Sequence, residues 1–112
     1  MSSLGLMAIA RNEGHILDEF INHYLWQGID HFYFIDNNST DNSYEIYDKY
    51  KSIITLLQEP RVVNVSTLEE GDIQVSSYEK MLKNVETDWL YICDMDEFAY
   101  ARRGFKTIKS SL

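Results

Sequence analysis

The sequence has few of the residues that mark secreted, membrane-spanning or nucleic-acid-binding chains. It has one cysteine, Cys93, so no intramolecular disulfide can form. Cys93 lies in an apolar run and reads as a small core hydrophobe, not a nucleophile, and a reducing, cytoplasmic setting fits it. No stretch approaches the roughly 20 apolar residues of a membrane span, so no transmembrane segment is expected. The opening MSSLGLMAIARNE has no basic leader region, which argues against a signal peptide. Basic charge is scarce: 10 Lys and Arg stand against 18 Asp and Glu, for a net charge of −8. Non-specific nucleic-acid binding depends on Lys and Arg neutralising phosphates, so that partner class is disfavoured. A phosphorylated ligand would need a metal cation to be held here.

The chain does have material for a core. Hydrophobic residues make up 45%, and eight tyrosines and two tryptophans argue against disorder. The 112 residues suit a single domain, 1–112, and show no internal repeat, low-complexity tract or linker. Leu4 to Ala10 reads as a buried strand. Asn12 is placed to cap a following helix, with Glu13 in its first turn. Ile16, Leu17, Phe20, Ile21, Tyr24 and Leu25 recur at helical spacing, and Gly28 stands where a helix-ending glycine belongs. The aromatic run His31 to Ile35 suits a central parallel strand covered on both faces.

Asp36 to Ser43 is dense in turn and cap residues, and Asn42 with Glu45 has capping-box spacing ahead of a helix to about Lys51. Tyr44, Tyr47 and Tyr50 are that helix's candidate core contacts. Ile53 to Leu57 is a third strand, interrupted by Pro60, with Arg61 to Val65 as an edge or loop. Glu69 to Asp72 reads as polar loop, Gln74 to Asn84 as helix, and Trp89 to Asp94 as a fourth strand. Thr107 to Leu112 starts another helix. This alternation predicts an α/β fold: a mainly parallel open sheet with right-handed crossovers and helices on both faces.

Ligands of such sheets bind outside the carboxyl ends of the strands. Those ends carry Arg11-Asn12-Glu13, Asp36-Asn37-Asn38 and Asp94-Met95-Asp96. An Asp-x-Asp match alone arises by chance roughly once in a chain this rich in Asp. Its position after an apolar strand, facing a second acidic cluster, gives it weight. Paired carboxylates are hard ligands suited to Mn²⁺ or Mg²⁺, which keep waters and substrate phosphates as further ligands. Asp94 and Asp96 are therefore the candidate metal residues.

RNEGHILDEFINHYLWQGIDHFYFIDNNSTDNS, followed by DWLYICDMDEF, resembles the GT-A glycosyltransferases and looks closest to the family-2-like branch that includes family 92. The resemblance covers roughly residues 4–112. It implies a nucleotide-sugar-binding α/β domain with a UDP- or GDP-sugar donor, a divalent metal, often Mn²⁺, and an unknown acceptor. By resemblance, Ala10, Arg11, Asn12 and Glu13 with Asp36 and Asn37 contact the nucleotide. Asp94 lies near the ribose or the metal's waters, and Asp96 ligates the metal. This chain has Asp36-Asn37 where many family-2 members have Asp-Asp.

GT-A domains run to about twice this length, so the chain reads as the donor-binding half. The alternative is a truncated, non-catalytic module that binds nucleotide or a partner. A haloacid-dehalogenase phosphatase is disfavoured by the motif's late position, and a phosphate-receiver domain by the lack of a Lys-bearing fifth strand.

Several residues keep a second reading. Asp36 is either a nucleotide contact or a turn acid capping the next helix. Arg11 is either a phosphate contact or an exposed strand-end arginine, and Asn12 suits a structural cap. Glu97, the basic run Arg102, Arg103, Lys106 and Lys109, and the evenly spaced His15, His23 and His31 read as surface. A sheet edge left uncovered predicts self-association.

Overall fold

The computed structural model describes residues 2–60 and 69–95, with backbone alone over 69–74. Asp96, Glu97, the Arg61 to Val65 segment, the basic run and the helix expected over Thr107 to Leu112 lie outside the described residues. The elements alternate: β1 (Leu4–Ala10), α1 (Gly14–Trp26), β2 (His31–Asp36), α2 (Ser43–Lys49), a short 3₁₀ turn (Lys51–Ile53), β3 (Ile54–Gln58), α3 (Glu69–Leu82) and β4 (Trp89–Ile92). The four strands form one sheet in the order β3-β2-β1-β4. Every pairing is parallel, as expected for strands joined by helical crossovers.

Strand periodicity sorts the side chains into two cores. Leu4, Leu6, Ala8 and Ala10 of β1 point to one face. There they pack with Leu17, Phe20, Ile21 and Tyr24 of α1, Phe32 and Phe34 of β2, and Tyr47 of α2. Met7, Tyr33 and Ile35 point to the other face and meet Met81 of α3, with Ile9, Leu57, Tyr78, Val85 and Leu90 around them. Helices thus cover both faces, which is why β1 and β2 can be apolar at nearly every position.

Gly5 is required by close approach. A Cβ there would stand 2.5 Å from Thr87 Oγ1 and 2.8 Å from a ring carbon of Tyr33. Gly28 is required by its backbone, with φ at 96°. It ends α1 in a Schellman turn, in which Gly28 N donates to Leu25 O at 3.1 Å and Ile29 N to Tyr24 O at 2.9 Å.

The helix starts differ from expectation. Glu13, not Asn12, occupies the cap position of α1, and no side chain of its own segment caps it. The first amide, Gly14 N, instead donates to Asp41 Oδ2 at 2.9 Å, from the next loop. Asn42 stands at the cap position of α2 without a side-chain cap bond. Asp41 takes that role too, accepting from Ser43 N at 2.9 Å and Ser43 Oγ at 2.5 Å. Asp41 reaches both helix starts because α1 and α2 begin side by side at the same sheet edge. Glu69 to Asp72, expected as loop, is the opening turn of α3, where acids suit the positive end of the helix dipole. β4 ends at Ile92, two residues earlier than expected.

Candidate functional site

Parallel pairing places Ala10, Asp36, Gln58 and Ile92, the last residues of the four strands, along one edge of the sheet. The winding reverses between β1 and β4: α1 and α2 lead outward to β2 and β3, and α3 crosses back to β4. Such a switch point opens a crevice at the carboxyl edge. The backbone stitches the edge together. Asn37 N donates to Ala10 O at 2.8 Å, Glu59 N to Asp36 O at 2.8 Å and Cys93 N to Met7 O at 3.2 Å. Neighbouring strands lie about 4.8 Å apart, and β4 ends level with Met7, three residues or about 10 Å short of the end of β1, so the ends of β2 and β4 are separated by about 14 Å.

Two of the three sequence-predicted clusters are laced directly to each other. Asn12 N donates to Ser39 Oγ at 2.9 Å. Asn12 Oδ1 accepts from Thr40 N at 2.7 Å and Thr40 Oγ1 at 3.4 Å. Asn12 and Asn38 both adopt left-handed backbone, with φ at 53° and 59°, a conformation asparagine tolerates better than most residues. With Asp41 holding Gly14 N, the β1–α1 and β2–α2 loops form one unit. Gly14 allows this contact, because a Cβ there would collide with the Asn42 and Asp41 side chains.

Asp36 is fully buried at the centre of the second loop. Its carboxylate accepts from Ser39 N at 3.0 Å, Ser39 Oγ at 2.5 Å, Tyr44 OH at 2.8 Å and Tyr47 OH at 2.8 Å. Burial, reinforced by the Asp36 carboxylate, pushes the Tyr47 phenol well above the ordinary tyrosine range, so Tyr47 stays a donor. Tyr44 is raised for the same reasons in the same order. The turn-acid reading of Asp36 is thus realised as a four-donor hub. The two tyrosines that complete it are residues that helical spacing had assigned only to the core.

Asn37 is buried beside Asp36 and donates from Nδ2 to Glu59 O at 2.9 Å. Asn38 Nδ2 donates to Pro60 O at 3.1 Å. Ala10 is buried, Arg11 is exposed and Glu13 is half-buried. On the far side, Asp94 is exposed just beyond β4. Tyr78 on α3 packs against the second core, as does Leu90 of β4. Burial first, and then the charges of Asp94 and Cys93, raise the Tyr78 phenol above its usual value.

An exposed carboxylate at a strand end fits a hard divalent ion that keeps part of its water shell. Among the described residues no three His, Cys, Asp or Glu side chains group as metal ligands. The second member of the proposed pair, Asp96, lies outside those residues. The histidines do not converge: His15 is exposed, His23 packs edge-on to Tyr24 and His31 bonds Thr55 Oγ1 at 2.7 Å.

One residue at this edge escaped the sequence reading. Glu59 directly follows β3 and is 2% exposed, so it is a buried acid at a strand end. Ser77 Oγ donates to Glu59 Oε2 at 3.2 Å, and Lys80 Nζ stands 3.9 Å from the same oxygen. The rule that marked Asp36 and Asp94, an acid straight after an apolar strand, marks Glu59 as well.

The glycosyl transferase family 2 model matches residues 7–103. No curated protein matches the chain. Among solved structures, the chain is similar to the 1–349 portion of TarS from S. aureus. Identity is 18% and the TM-score 0.63, over 86% of this chain and 28% of that one. A structure titled simply as S. aureus TarS gives 17% and 0.63, over 84% of this chain and 16% of that one. The 1–349 portion in complex with UDP gives 18% and 0.62, over 84% and 27%. At such identities the likeness shows the fold, a GT-A-like α/β sheet. The chain spans less than a third of the length of each of these structures. Among the described residues no helix is long and apolar enough to cross a membrane.

Proposed function

The chain belongs to glycosyl transferase family 2, and from that premise we propose that it forms the donor-binding part of an enzyme that transfers a sugar from a nucleotide-diphosphate sugar to an acceptor. The observation that carries this reading is the edge itself. Loops 10–13 and 36–41 are cross-bonded into one unit beside the switch point, and Asp94 projects from the strand on its other side. A nucleotide lying across that edge would meet the Ala10 to Glu13 segment and the loop built on Asp36-Asn37 at its base and ribose, and Asp94 near the ribose or the metal's waters. The UDP complex of the structurally similar TarS supports a uridine nucleotide as the first ligand to try.

A divalent cation, Mn²⁺ or Mg²⁺, would be held by Asp94 with Asp96. When bound, it would offset diphosphate charge and assist departure of the nucleoside diphosphate. The protein's own part is preorganisation: the Asp36 hub and the Asn12 lacing hold the nucleotide-facing backbone in place before the ligand arrives. The finer placement near family 92 rests on the RNEGH and DMDEF blocks alone.

Calorimetry with UDP and GDP, with and without Mn²⁺, tests the reading. Metal-dependent nucleotide binding that is lost in Asp96→Ala and weakened in Asp94→Ala is the expected result. Equal affinity with and without metal would remove the metal from the site.

A further inference from the structure

The two sides of the candidate donor edge belong to different faces of the fold. The β1 and β2 loops are held by contacts with α1 and α2, whereas α3 packs on the other face, where Tyr78 and Met81 share a core with Leu90 of β4, the strand that leads to Asp94. Glu59 lies where these halves meet. Its backbone belongs to the β2 side: Glu59 N donates to Asp36 O at 2.8 Å, and Glu59 O accepts from Asn37 Nδ2 at 2.9 Å. Its carboxylate belongs to α3, accepting from buried Ser77 at 3.2 Å with Lys80 at 3.9 Å. Ser77 and Tyr78 are consecutive on that helix, about 100° apart around its axis. One turn of α3 therefore touches Glu59 with one side chain and packs into the core shared with β4 with the next. A buried carboxylate is costly unless it is hydrogen-bonded and paired, so the Ser77–Lys80 arrangement constrains where this turn can sit.

We propose that Glu59 is a positioning residue that ties the Asp36-Asn37 end of the donor edge to α3 through Ser77 and Lys80, and, through the packing of α3, to β4, the strand that leads to Asp94. As a role in nucleotide binding, this rests on the donor-site reading above. As a mechanical link, it does not. Loss of the carboxylate lets the α3 turn shift relative to the β2 loop, so the two halves of the site lose their mutual registration while each keeps its own contacts.

The test uses the full chain with UDP and Mn²⁺ as probe. Glu59→Ala and, as a milder cut from the helix side, Ser77→Ala are compared with Gly5→Ala, a destabilising change at the opposite sheet edge. Glu59→Gln keeps an acceptor for Ser77. The expected result is about 3- to 30-fold weaker UDP binding in Glu59→Ala, a smaller loss in Ser77→Ala and partial recovery in Glu59→Gln. Gly5→Ala should bind UDP like wild type despite a lower melting temperature.

Amide hydrogen exchange without ligand should show faster exchange at 36–40 and at 75–82 together in Glu59→Ala. Unchanged UDP affinity in Glu59→Ala, or affinity that simply follows melting temperature through all variants including Gly5→Ala, overturns the proposal. If wild type binds neither UDP nor GDP, the donor reading fails separately. The exchange data then decide the link: acceleration in both segments supports it, and acceleration in one alone overturns it.

Discussion

Replacing Asp36 by Asn keeps size and shape and changes only what the side chain can accept. A carboxylate offers two acceptor oxygens, whereas Asn offers one oxygen and an NH₂ group that donates. The four donors fall in two pairs: Ser39 Oγ and Tyr47 OH on Oδ1, and Ser39 N and Tyr44 OH on Oδ2. Placing the Asn nitrogen on the Oδ2 side sets it against the Ser39 N–H, which cannot rotate away. The nitrogen must therefore take the Oδ1 side, where the Ser39 and Tyr47 hydroxyls can turn to accept.

All four bonds survive in that arrangement, but as neutral ones. Hydrogen bonds to charged groups contribute roughly 1.5–3 kcal/mol each against about 1 for neutral pairs, a gross difference of about 2–8 kcal/mol over four bonds. Asn avoids the desolvation of a buried charge, which offsets part of this, so Asp36→Asn should cost about 2–4 kcal/mol. At 4–8 °C per kcal/mol for a domain of this size, the melting temperature should fall by roughly 10–25 °C. Urea denaturation of Asp36→Asn, Tyr47→Phe and the double variant gives the coupling between the two groups. Because they share a bond, the double variant should lose about 1 kcal/mol less than the sum of the singles. A loss under about 1 kcal/mol for Asp36→Asn, or strict additivity with Tyr47→Phe, would refute the hub.

Asp41→Ala removes the acceptor for both helix starts and should cost about 1–2 kcal/mol in urea melts. The Ser43 hydroxyl, opposed by partial burial and helped by backbone amides, holds the Asp41 carboxyl below its usual value. Its contribution is therefore present above about pH 4 and is lost as pH falls through the lower folded value. An acid-melt difference between wild type and Asp41→Ala that does not shrink toward low pH would contradict this. Tyr47 carries the opposite sign: its folded value is raised, so its contribution is full below about pH 10 and falls as pH rises beyond that. Alkaline denaturation of Tyr47→Phe should be correspondingly flatter. Gly5→Ala forces a methyl group against Thr87 and the Tyr33 ring and should cost about 1–3 kcal/mol, readable by calorimetry. Trp89 and Ile92 on β4 are 51% and 49% exposed, so light scattering should show self-association that Ile92→Lys reduces; unchanged scattering would locate the association elsewhere.

The sheet was legible because its signals are local. LGLMAIA and HFYFID are apolar beyond what a one-sided strand needs, and they became the two central strands. Gly28 was legible because a left-handed residue after an amphipathic helix has few alternatives. What spacing alone missed is whatever crosses between elements. Asn12 sits directly before a helix and has the chemistry of a cap, yet its oxygen holds Thr40, and Asp41 caps the helix that Asn12 precedes. The cap assignment was chemically sound within its own segment. The exchange became visible only once β1 and β2 were paired, because pairing sets the two loops against each other.

Tyr44 was hidden for the same reason: it reads as a core contact until the fold sets it against Asp36 from another element. Glu59 follows a strand as Asp36 and Asp94 do, but its bond to Ser77 of α3 shows only in the fold. The candidate site is assembled from such long-range bonds. Sequence rules could therefore locate the edge and its acids, whereas the division of labour among them required the pairing. Asp36 shows the distinction most sharply. Its position at a strand end made it a ligand candidate, and its four intramolecular donors make it the residue that shapes the loop any ligand would meet.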